Sequence, residues 1–150
     1  MTDYPVIWPM GRKMSGFGER LWGLIKVPEP AAYQAFWFPR CRSIHTFGMK
    51  APIDVLGLDQ EQRIRQVERH VCPGQVRYFK GCDSVLELAS FSPWPLQHWL
   101  GQQLIFNRQG VPEHAQFEAT DPNYFAIAIA IAGAGLPVDR GRDAGAATGL

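Results

Sequence analysis

The sequence predicts an α+β fold in which antiparallel β-sheet dominates and helices are few and short. Between residues 53 and 89, aliphatic and β-branched runs are separated by polar or Pro-Gly turns, a pattern typical of strands joined by short connections. Helix formers occur only in brief stretches. The 150 residues, 46% of them hydrophobic, are enough for one core and too few for two comfortable domains.

The first predicted elements are a short helix and a hairpin. The segment EPAAYQAFWF places helix formers after Pro30, and proline suits the first turn of a helix. The runs PIDVLGL and RIRQVERHV flank the polar turn DQEQ, so we expect a β-hairpin across residues 53–71. The hairpin ends at HVCPG, because Pro73 cannot donate to a strand ladder and Gly74 permits a turn.

Two more elements follow the hairpin. The segment SVLELA, residues 84–89, alternates as a strand does, with Leu86 and Leu88 on one face. The segment PLQHWLGQQLIF predicts one or two helical turns and then a strand over residues 104–106. Helix therefore stays a minor component of the predicted fold.

Composition divides the chain into three zones. Residues 1–20 are rich in Gly, Pro and Met and are expected to form a loosely held N-terminal arm. Residues 21–107 form the predicted core domain, and residues 108–150 form a C-terminal extension that ends in a small-residue tail. The extension contains FAIAIAIAGAG, whose apolar residues over 125–132 either pack on the core or provide an interface for self-association or a protein partner.

Charge and motif content limit the function classes. The chain has 15 Lys and Arg against 14 Asp and Glu, so the composition predicts no basic field for nucleic acid or anionic lipid. No apolar stretch is long enough for a transmembrane helix, and MTDYPVIWPMGRK lacks signal-peptide character, so we expect a cytoplasmic protein. Phosphate-binding glycine loops, a G-x-S-x-G elbow and H-E-x-x-H are missing from the sequence, and we expect no cofactor.

The cysteine pattern favours free thiols. Cys41, Cys72 and Cys82 are odd in number and widely spaced, with one reversible disulfide as the alternative. Cys41, His45 and Met49 are spaced four residues apart, which on a helix would form a stripe suited to a soft metal. The surrounding prolines, a glycine and β-branched residues favour an extended chain, along which these side chains lie roughly 13 Å apart. The sequence therefore predicts no metal site there.

Asp54 is the most informative candidate residue. It shares a strand face with Leu56 and Leu58, so its carboxylate points where apolar residues point. An unpaired buried carboxylate costs several kcal/mol, so we expect donors from elsewhere in the chain to satisfy it. Arg42, His45 and Thr46 are the candidate donors, with backbone N–H groups as the alternative. The residue is interpreted as a structural clamp, with a ligand or catalytic role as the second interpretation.

Glu87 raises the same question more weakly. An acid on an edge strand that faces solvent is ordinary, but an acid beside Asp54 would form a pair suited to acid–base chemistry. The sequence alone does not say whether the two carboxylates are neighbours. The five tryptophans are interpreted as core residues, since no cluster of Lys and Arg lies between them.

Several of these signals occur in an order that resembles a known family. The segments LWGLI, RCRSIHTFGMKAPIDVLGLDQEQRI and SVLEL are similar to the family known as domain of unknown function 192, over about residues 20–107. The resemblance implies a compact α+β domain with a small, mostly antiparallel, barrel-like sheet, and it implies no established activity. The family pattern points to five positions of this chain and to Pro52. Those five candidate site residues are Arg42, His45, Met49, Asp54 and Glu87.

The chain departs from the family pattern at two small residues and in its extension. Gly57 and Ala51 stand where the family usually has bulky residues, and residues 108–150 have no counterpart. Either isoleucines of the extension fill the volume that the two small residues leave open, or the domain is less stable than its relatives.

Two functions are predicted from these observations. The favoured one is a non-catalytic binding or accessory protein, because no set of nucleophile, base and orienting residue is evident. The alternative is a small acid–base enzyme that uses Asp54 and His45, with Glu87 as a further acid. An enzyme of this kind requires His45 and Asp54 to converge on one open cleft.

Overall fold

A computed structural model of the protein describes residues 4–14, 30–90, 92–108 and 122–131. Within these residues the chain forms nine strands and a 3-10 helix, Leu96–Trp99. The strands are β1 (Val6–Lys13), β2 (Gln34–Pro39), β3 (Ser43–His45), β4 (Ile53–Leu58), β5 (Ile64–Val71), β6 (Val76–Tyr78), β7 (Ser84–Ala89), β8 (Gln103–Asn107) and β9 (Tyr124–Ala130).

The predicted α+β class is wrong, because the described residues are 54% strand and 5% helical and include no α-helix. The error lies in EPAAYQAFWF, whose second half forms β2 and not a helix. Phe36, Trp37 and Phe38 are aromatic residues that fit a pleated, half-buried surface, and β2 lies between β1 and β7 in the sheet. Packing on both sides therefore outweighs the helix preference of the alanines that precede them.

The predicted barrel-like sheet is also wrong, because the main sheet is open. Its seven strands run in the order β5-β4-β7-β2-β1-β9-β8, while β3 and β6 form a separate two-stranded sheet. Only β1 and β2 pair in parallel among the described strands. The edge strands β5 and β8 meet at an isolated bridge between Arg63 and Gln103. One bridge is a point of contact and not a continuous ladder, so the sheet keeps two edges.

Several local predictions are confirmed. The hairpin across residues 53–71 is formed by β4 and β5, which pair antiparallel. Residues 84–89 form β7, although β7 is an interior strand between β4 and β2. The segment PLQHWLGQQLIF contains the 3-10 helix followed by β8. These elements depend on short-range pattern and turn chemistry, which the sequence shows directly.

Both terminal zones contribute interior strands. β1, from the zone expected to be a loose arm, pairs with β2 on one side and β9 on the other. β9, from the zone expected to be an extension, lies between β1 and β8. Phe125, Ile127 and Ile129 are buried within this arrangement. The apolar segment is therefore satisfied by the fold of its own chain.

Alternation along the strands produces two cores, one on each side of the sheet. The first core contains Leu56 and Leu88 together with Trp8 and Trp99, whose ring centroids lie 6.4 Å apart edge to face. The second core lies under the two-stranded sheet and contains the aliphatic and aromatic residues of the opposite strand faces. Its buried members are Met14, Phe36, Phe38, Ile44, Ile53, Val55, Val71, Phe79, Cys82 and Val85.

Gly57 has a packing reason that differs from the expected one. A Cβ at this position would lie 2.6 Å from Cys82 Sγ and 2.7 Å from Phe79 Cδ1. Phe79 and Cys82 of the second core fill this volume, whereas Ile127 and Ile129 belong to the first core. The expectation that extension isoleucines compensate for Gly57 is therefore wrong.

Replacing Gly57 with alanine is expected to lower the free energy of unfolding by about 1–3 kcal/mol, because the added methyl overpacks a filled site. Urea denaturation measures this loss. The control is the same substitution in a Cys82→Ala background, where the Sγ contact is removed and the added cost of Gly57→Ala should shrink. Equal costs in both backgrounds would contradict the packing explanation.

In the described part of the chain, no helix is both long and apolar enough to span a membrane.

Candidate functional site

Asp54 lies at a β-bulge in the β4–β5 hairpin. Ile53 pairs with Val71 and Val55 pairs with Glu68, so two residues of β5 oppose the single residue Asp54. The second of these, His70, has a φ of 54°. The bulge turns the backbone N–H of His70 toward Asp54, and Oδ1 accepts this hydrogen bond at 2.8 Å.

Arg69 supplies the charge that balances Asp54. The Asp54 carboxylate is 1% exposed, and its Oδ2 accepts hydrogen bonds from Nη2 of Arg69 at 3.1 Å and from Nε at 3.3 Å. The same guanidinium donates to the carbonyl oxygens of Ser92 at 2.7 Å and Trp94 at 3.1 Å. The ion pair therefore ties the β4–β5 hairpin to the segment that precedes the 3-10 helix.

The side-chain donor to Asp54 differs from the candidates named from the sequence, whereas the backbone N–H alternative is confirmed at His70. Arg42, His45 and Thr46 make no hydrogen bond to this carboxylate, and both donors come from β5. Both carboxylate oxygens accept hydrogen bonds from β5, so the group holds the hairpin together.

Glu87 lies on the opposite face of the sheet from Asp54. Asp54 pairs with Leu88, whereas Glu87 pairs with Val55 on β4 and Phe36 on β2. Successive side chains of a strand point to opposite faces, so the two carboxylates face different cores. The structure does not bring them together as an acid–base pair.

Glu87 is buried among apolar neighbours of the second core. Its side chain is 6% exposed, and no donor among the described residues hydrogen-bonds to its carboxyl group. Burial raises the pKa of Glu87 from 4.5 to about 8. The group is therefore mainly a neutral carboxylic acid at pH 7.

A polar cleft of about 380 Å³ opens beside the β4–β5 turn. Charged residues of both signs line it: Arg42, Asp59, Glu61, Arg65 and Asp83. Burial alone would raise the pKa of Asp59, but hydrogen bonds from the Arg63 and Glu61 backbone and from the Arg65 guanidinium hold it below its ordinary value. Asp59 is thus an ionised turn residue paired with Arg65 at 2.7 Å.

Cys82 also lines the cleft but is not an activated nucleophile. The residue is 1% exposed. Burial raises the pKa of its thiol above the ordinary value, and the nearby negative charge of Asp59 raises it further. The positive charge of Arg65 lowers this pKa by a smaller amount. The reactive form of cysteine is the thiolate, so this thiol is inert at neutral pH.

We call residues 40–50 and 72–82 the ribbon. They comprise the two-stranded sheet of β3 and β6 and the residues that flank its strands. Ser43 pairs with Tyr78 and His45 pairs with Val76, while the intervening Ile44 is buried in the second core. The ribbon thus packs one face on the main sheet. Its outer face carries exposed side chains.

Thr46 fixes the ribbon. It is fully buried, and its hydroxyl donates to the carbonyl oxygen of Cys72 at 2.6 Å while accepting the backbone N–H of Gln75 at 2.9 Å. Its own backbone N–H donates to the Gln75 carbonyl at 2.9 Å, and its carbonyl accepts the N–H of Gly74 at 3.0 Å. These bonds join the two halves of the ribbon at the end distant from Tyr78.

Aromatic rings are prominent on the ribbon surface. Tyr78 is 74% exposed and Phe47 is 53% exposed. The rings of His45 and Phe47 stack with centroids 5.6 Å apart and planes at 26°. Exposed aromatic side chains of this size, grouped on one small element, are typical of a recognition surface.

Cys41, His45 and Met49, the residues spaced four apart, lie in different surroundings. Cys41 and Met49 pack against the second core, and Cys41 Sγ donates to the Ser43 carbonyl at 3.0 Å. His45 is exposed and stacks on Phe47. Groups of three His, Cys, Asp or Glu that could hold a metal are absent from the described residues. All three cysteines are free thiols.

Sequence reasoning missed Arg69, Phe47 and Tyr78. Arg69 lies in a run of alternating charges that gave no sign of a buried partner. Phe47 and Tyr78 are single aromatic residues about 30 positions apart. Only the pairing of β3 with β6 brings them onto one surface, and the one available signal was the lack of acidic residues around both.

Neither a protein-family model nor a curated protein matches the chain. The fold is similar to that of a solved structure described as a "putative transcription regulator" from Sinorhizobium meliloti, with 18% identity and a TM-score of 0.51 over 55% of this chain and 69% of that one. A protein of unknown function from Novosphingobium aromaticivorans matches with 16% identity and a TM-score of 0.49. That match covers 54% of this chain and 63% of the other, which is less than two thirds of its length.

At these identities the likeness concerns the fold alone. Neither neighbour is described as a member of the domain of unknown function 192 family, so that resemblance stays a prediction.

Proposed function

We propose that the protein is a non-catalytic binding protein that docks an anionic macromolecule on the ribbon. The observation that carries this proposal is the local charge. Residues 40–50 and 72–82 contain five Lys and Arg and no Asp or Glu, so the rest of the chain has ten cations against 14 acids. A near-neutral protein therefore has one strongly cationic element.

Most of these cations are uncompensated. Arg77 lies 3.9 Å from Glu68 and also donates to Gln75. Arg40, Arg42, Lys50 and Lys80 are exposed, and none of them forms an ion pair with a described residue. Arg40, Lys50 and Lys80 therefore keep their attraction for an external anion. Arg42 shares the polar cleft with the carboxylates of Asp59, Glu61 and Asp83, which offset part of its charge.

The acid–base enzyme is not supported by the geometry. Asp54 is buried and occupied by Arg69, while His45 stacks on Phe47 at the surface, and no contact joins the two. Glu87 faces the second core and Cys82 has an inert thiol. A cytoplasmic location, a protein partner and self-association through residues 125–132 stay predictions.

Heparin chromatography at pH 7.5 and low salt tests the proposal, because heparin is a generic polyanion. We expect the wild-type protein to be retained and Lys80→Glu to elute at clearly lower salt. The matched control is Arg108→Glu, which makes the same change in net charge at an exposed residue that follows β8, outside the ribbon.

Two results would contradict the proposal. One is a wild-type protein that flows through the column at low salt. The other is an equal shift for Lys80→Glu and Arg108→Glu, which would mean that total charge and not the ribbon governs retention.

A further inference from the structure

We infer that the anionic partner of the ribbon is a short stretch of single-stranded nucleic acid, whose bases stack on Phe47 and Tyr78 and whose phosphates contact Arg42, Lys50 and Lys80. This inference rests on the proposed function. It adds the chemistry of the partner, which charge alone leaves undefined.

Charge and aromatic rings occur together on the ribbon, which is the combination that single-stranded nucleic acid requires. Lys80 follows Tyr78 by two residues, and Lys50 follows Phe47 by three. Unpaired bases present π-faces that stack on aromatic side chains, and a cationic surface beside the rings follows the backbone. Bases inside a duplex are already stacked, so these exposed rings favour a single strand.

The balanced composition predicted no nucleic-acid partner, and the fold explains the difference. Net charge is a sum over the chain, and acids outside the ribbon cancel the cations of the ribbon in that sum. The two ribbon segments lie about 30 residues apart and meet through the β3–β6 pairing and the hydrogen bonds of Thr46. The field that a polyanion meets depends on this local arrangement.

The ribbon is also held in one conformation before binding. Thr46 joins its two halves through four hydrogen bonds, and Ile44 anchors its inner face in the second core. His45 already stacks on Phe47, which fixes that ring as a platform. A rigid surface loses little conformational entropy on binding, so a small contact area can still give measurable affinity.

The size of the ribbon limits the ligand. Each strand has three residues, or about 10 Å at roughly 3.3 Å per residue. Two or three rings on such a length accommodate two or three bases. Three phosphate contacts predict that the logarithm of affinity falls with the logarithm of salt concentration with a slope of about −2, from about −0.7 per contact for single strands.

Fluorescence anisotropy with a labelled twelve-residue oligothymidylate and oligouridylate tests the inference on the full chain. We expect Phe47→Ala and Tyr78→Ala each to weaken binding by roughly tenfold while the salt slope stays unchanged, because stacking is not ionic. Tyr78→Phe should retain binding. Lys80→Gln should reduce the slope by about 0.7. Tyr33→Ala, which removes a 54% exposed ring just before β2, is the control.

Each other outcome has a defined meaning. If heparin and polyglutamate bind but the oligonucleotides do not, the inference fails and the proposed function stands. If alanine at both Phe47 and Tyr78 leaves oligonucleotide affinity unchanged in folded protein, stacking is refuted. Preference for a duplex of the same length also overturns the inference. If no polyanion binds, the inference and the proposed function both fail.

Discussion

Replacing Asp54 with asparagine is expected to lower the free energy of unfolding by about 3 kcal/mol. The substitution removes the charge that balances Arg69 and turns an amide N–H₂ group toward a guanidinium that can only donate. Breaking a buried ion pair by removing one partner costs about 3–5 kcal/mol, and the partial exposure of Arg69 places the loss at the lower end. Urea denaturation measures it.

A double-mutant cycle separates the ion pair from other effects of Asp54→Asn. Arg69→Met alone should also destabilise, and the two substitutions together should cost less than the sum of their separate costs. Asp83→Asn, at a half-buried acid without an ion pair to a described residue, is the matched control and should change stability little. Unchanged stability of Asp54→Asn would contradict the structural role and reopen a ligand-binding role for this carboxylate.

Replacing Glu87 with glutamine is expected to stabilise the protein at pH 7 by about 3 kcal/mol. Burial raises the pKa of Glu87 from 4.5 to about 8, so at pH 7 the folded protein keeps a proton that the unfolded chain has released. Each pKa unit between 4.5 and the working pH costs about 1.4 kcal/mol, up to the folded pKa. Glutamine is neutral in both states and avoids this cost.

The sign of the pH dependence follows from the same proton. Between pH 4.5 and about 8 the folded state binds more protons at Glu87 than the unfolded state does, so this group makes stability fall as pH rises. The gain in free energy of unfolding from Glu87→Gln should therefore be near zero at pH 4.5, grow through pH 7 and level off above pH 8.

Denaturation series at several pH values provide the test. Glu61→Gln is the control, because Glu61 is 71% exposed and its neutralisation should give no such trend. If the difference in free energy of unfolding between wild type and Glu87→Gln does not change with pH, then Glu87 ionises in the folded protein as it does in the unfolded chain.

The sequence predicted elements that depend on neighbouring residues and missed those that depend on distant ones. The β4–β5 hairpin and β7 follow from alternation and from turn residues such as Pro73 and Gly74. The sequence predicts helix where β2 forms, because the neighbours of β2 in the sheet, β1 and β7, come from distant parts of the chain. Pattern within a short window carries no information about such neighbours.

The candidate site shows the same limit. Asp54 stands out in the sequence as an acid among aliphatic residues, but its partner does not. Arg69 opposes it only because a bulge adds one residue to β5, and one residue of register reverses which side chains share a face. The ribbon depends on pairing across about 30 residues, and its charge is hidden within a balanced total.

The bridge between Arg63 and Gln103 affects how much of the two edge strands, β5 and β8, is open to pairing with other chains. Unpaired strand borders can recruit other chains into intermolecular sheets. Here the backbone N–H of Ile64 donates to the carbonyl of Gln102, and the backbone N–H of Leu104 donates to the carbonyl of Gln62. Part of each edge strand is therefore already paired with the other. Further along β5, the irregularity at Arg69 and His70 distorts the remaining border. The contact and the bulge thus leave less unpaired edge available for strand addition by another copy of the chain.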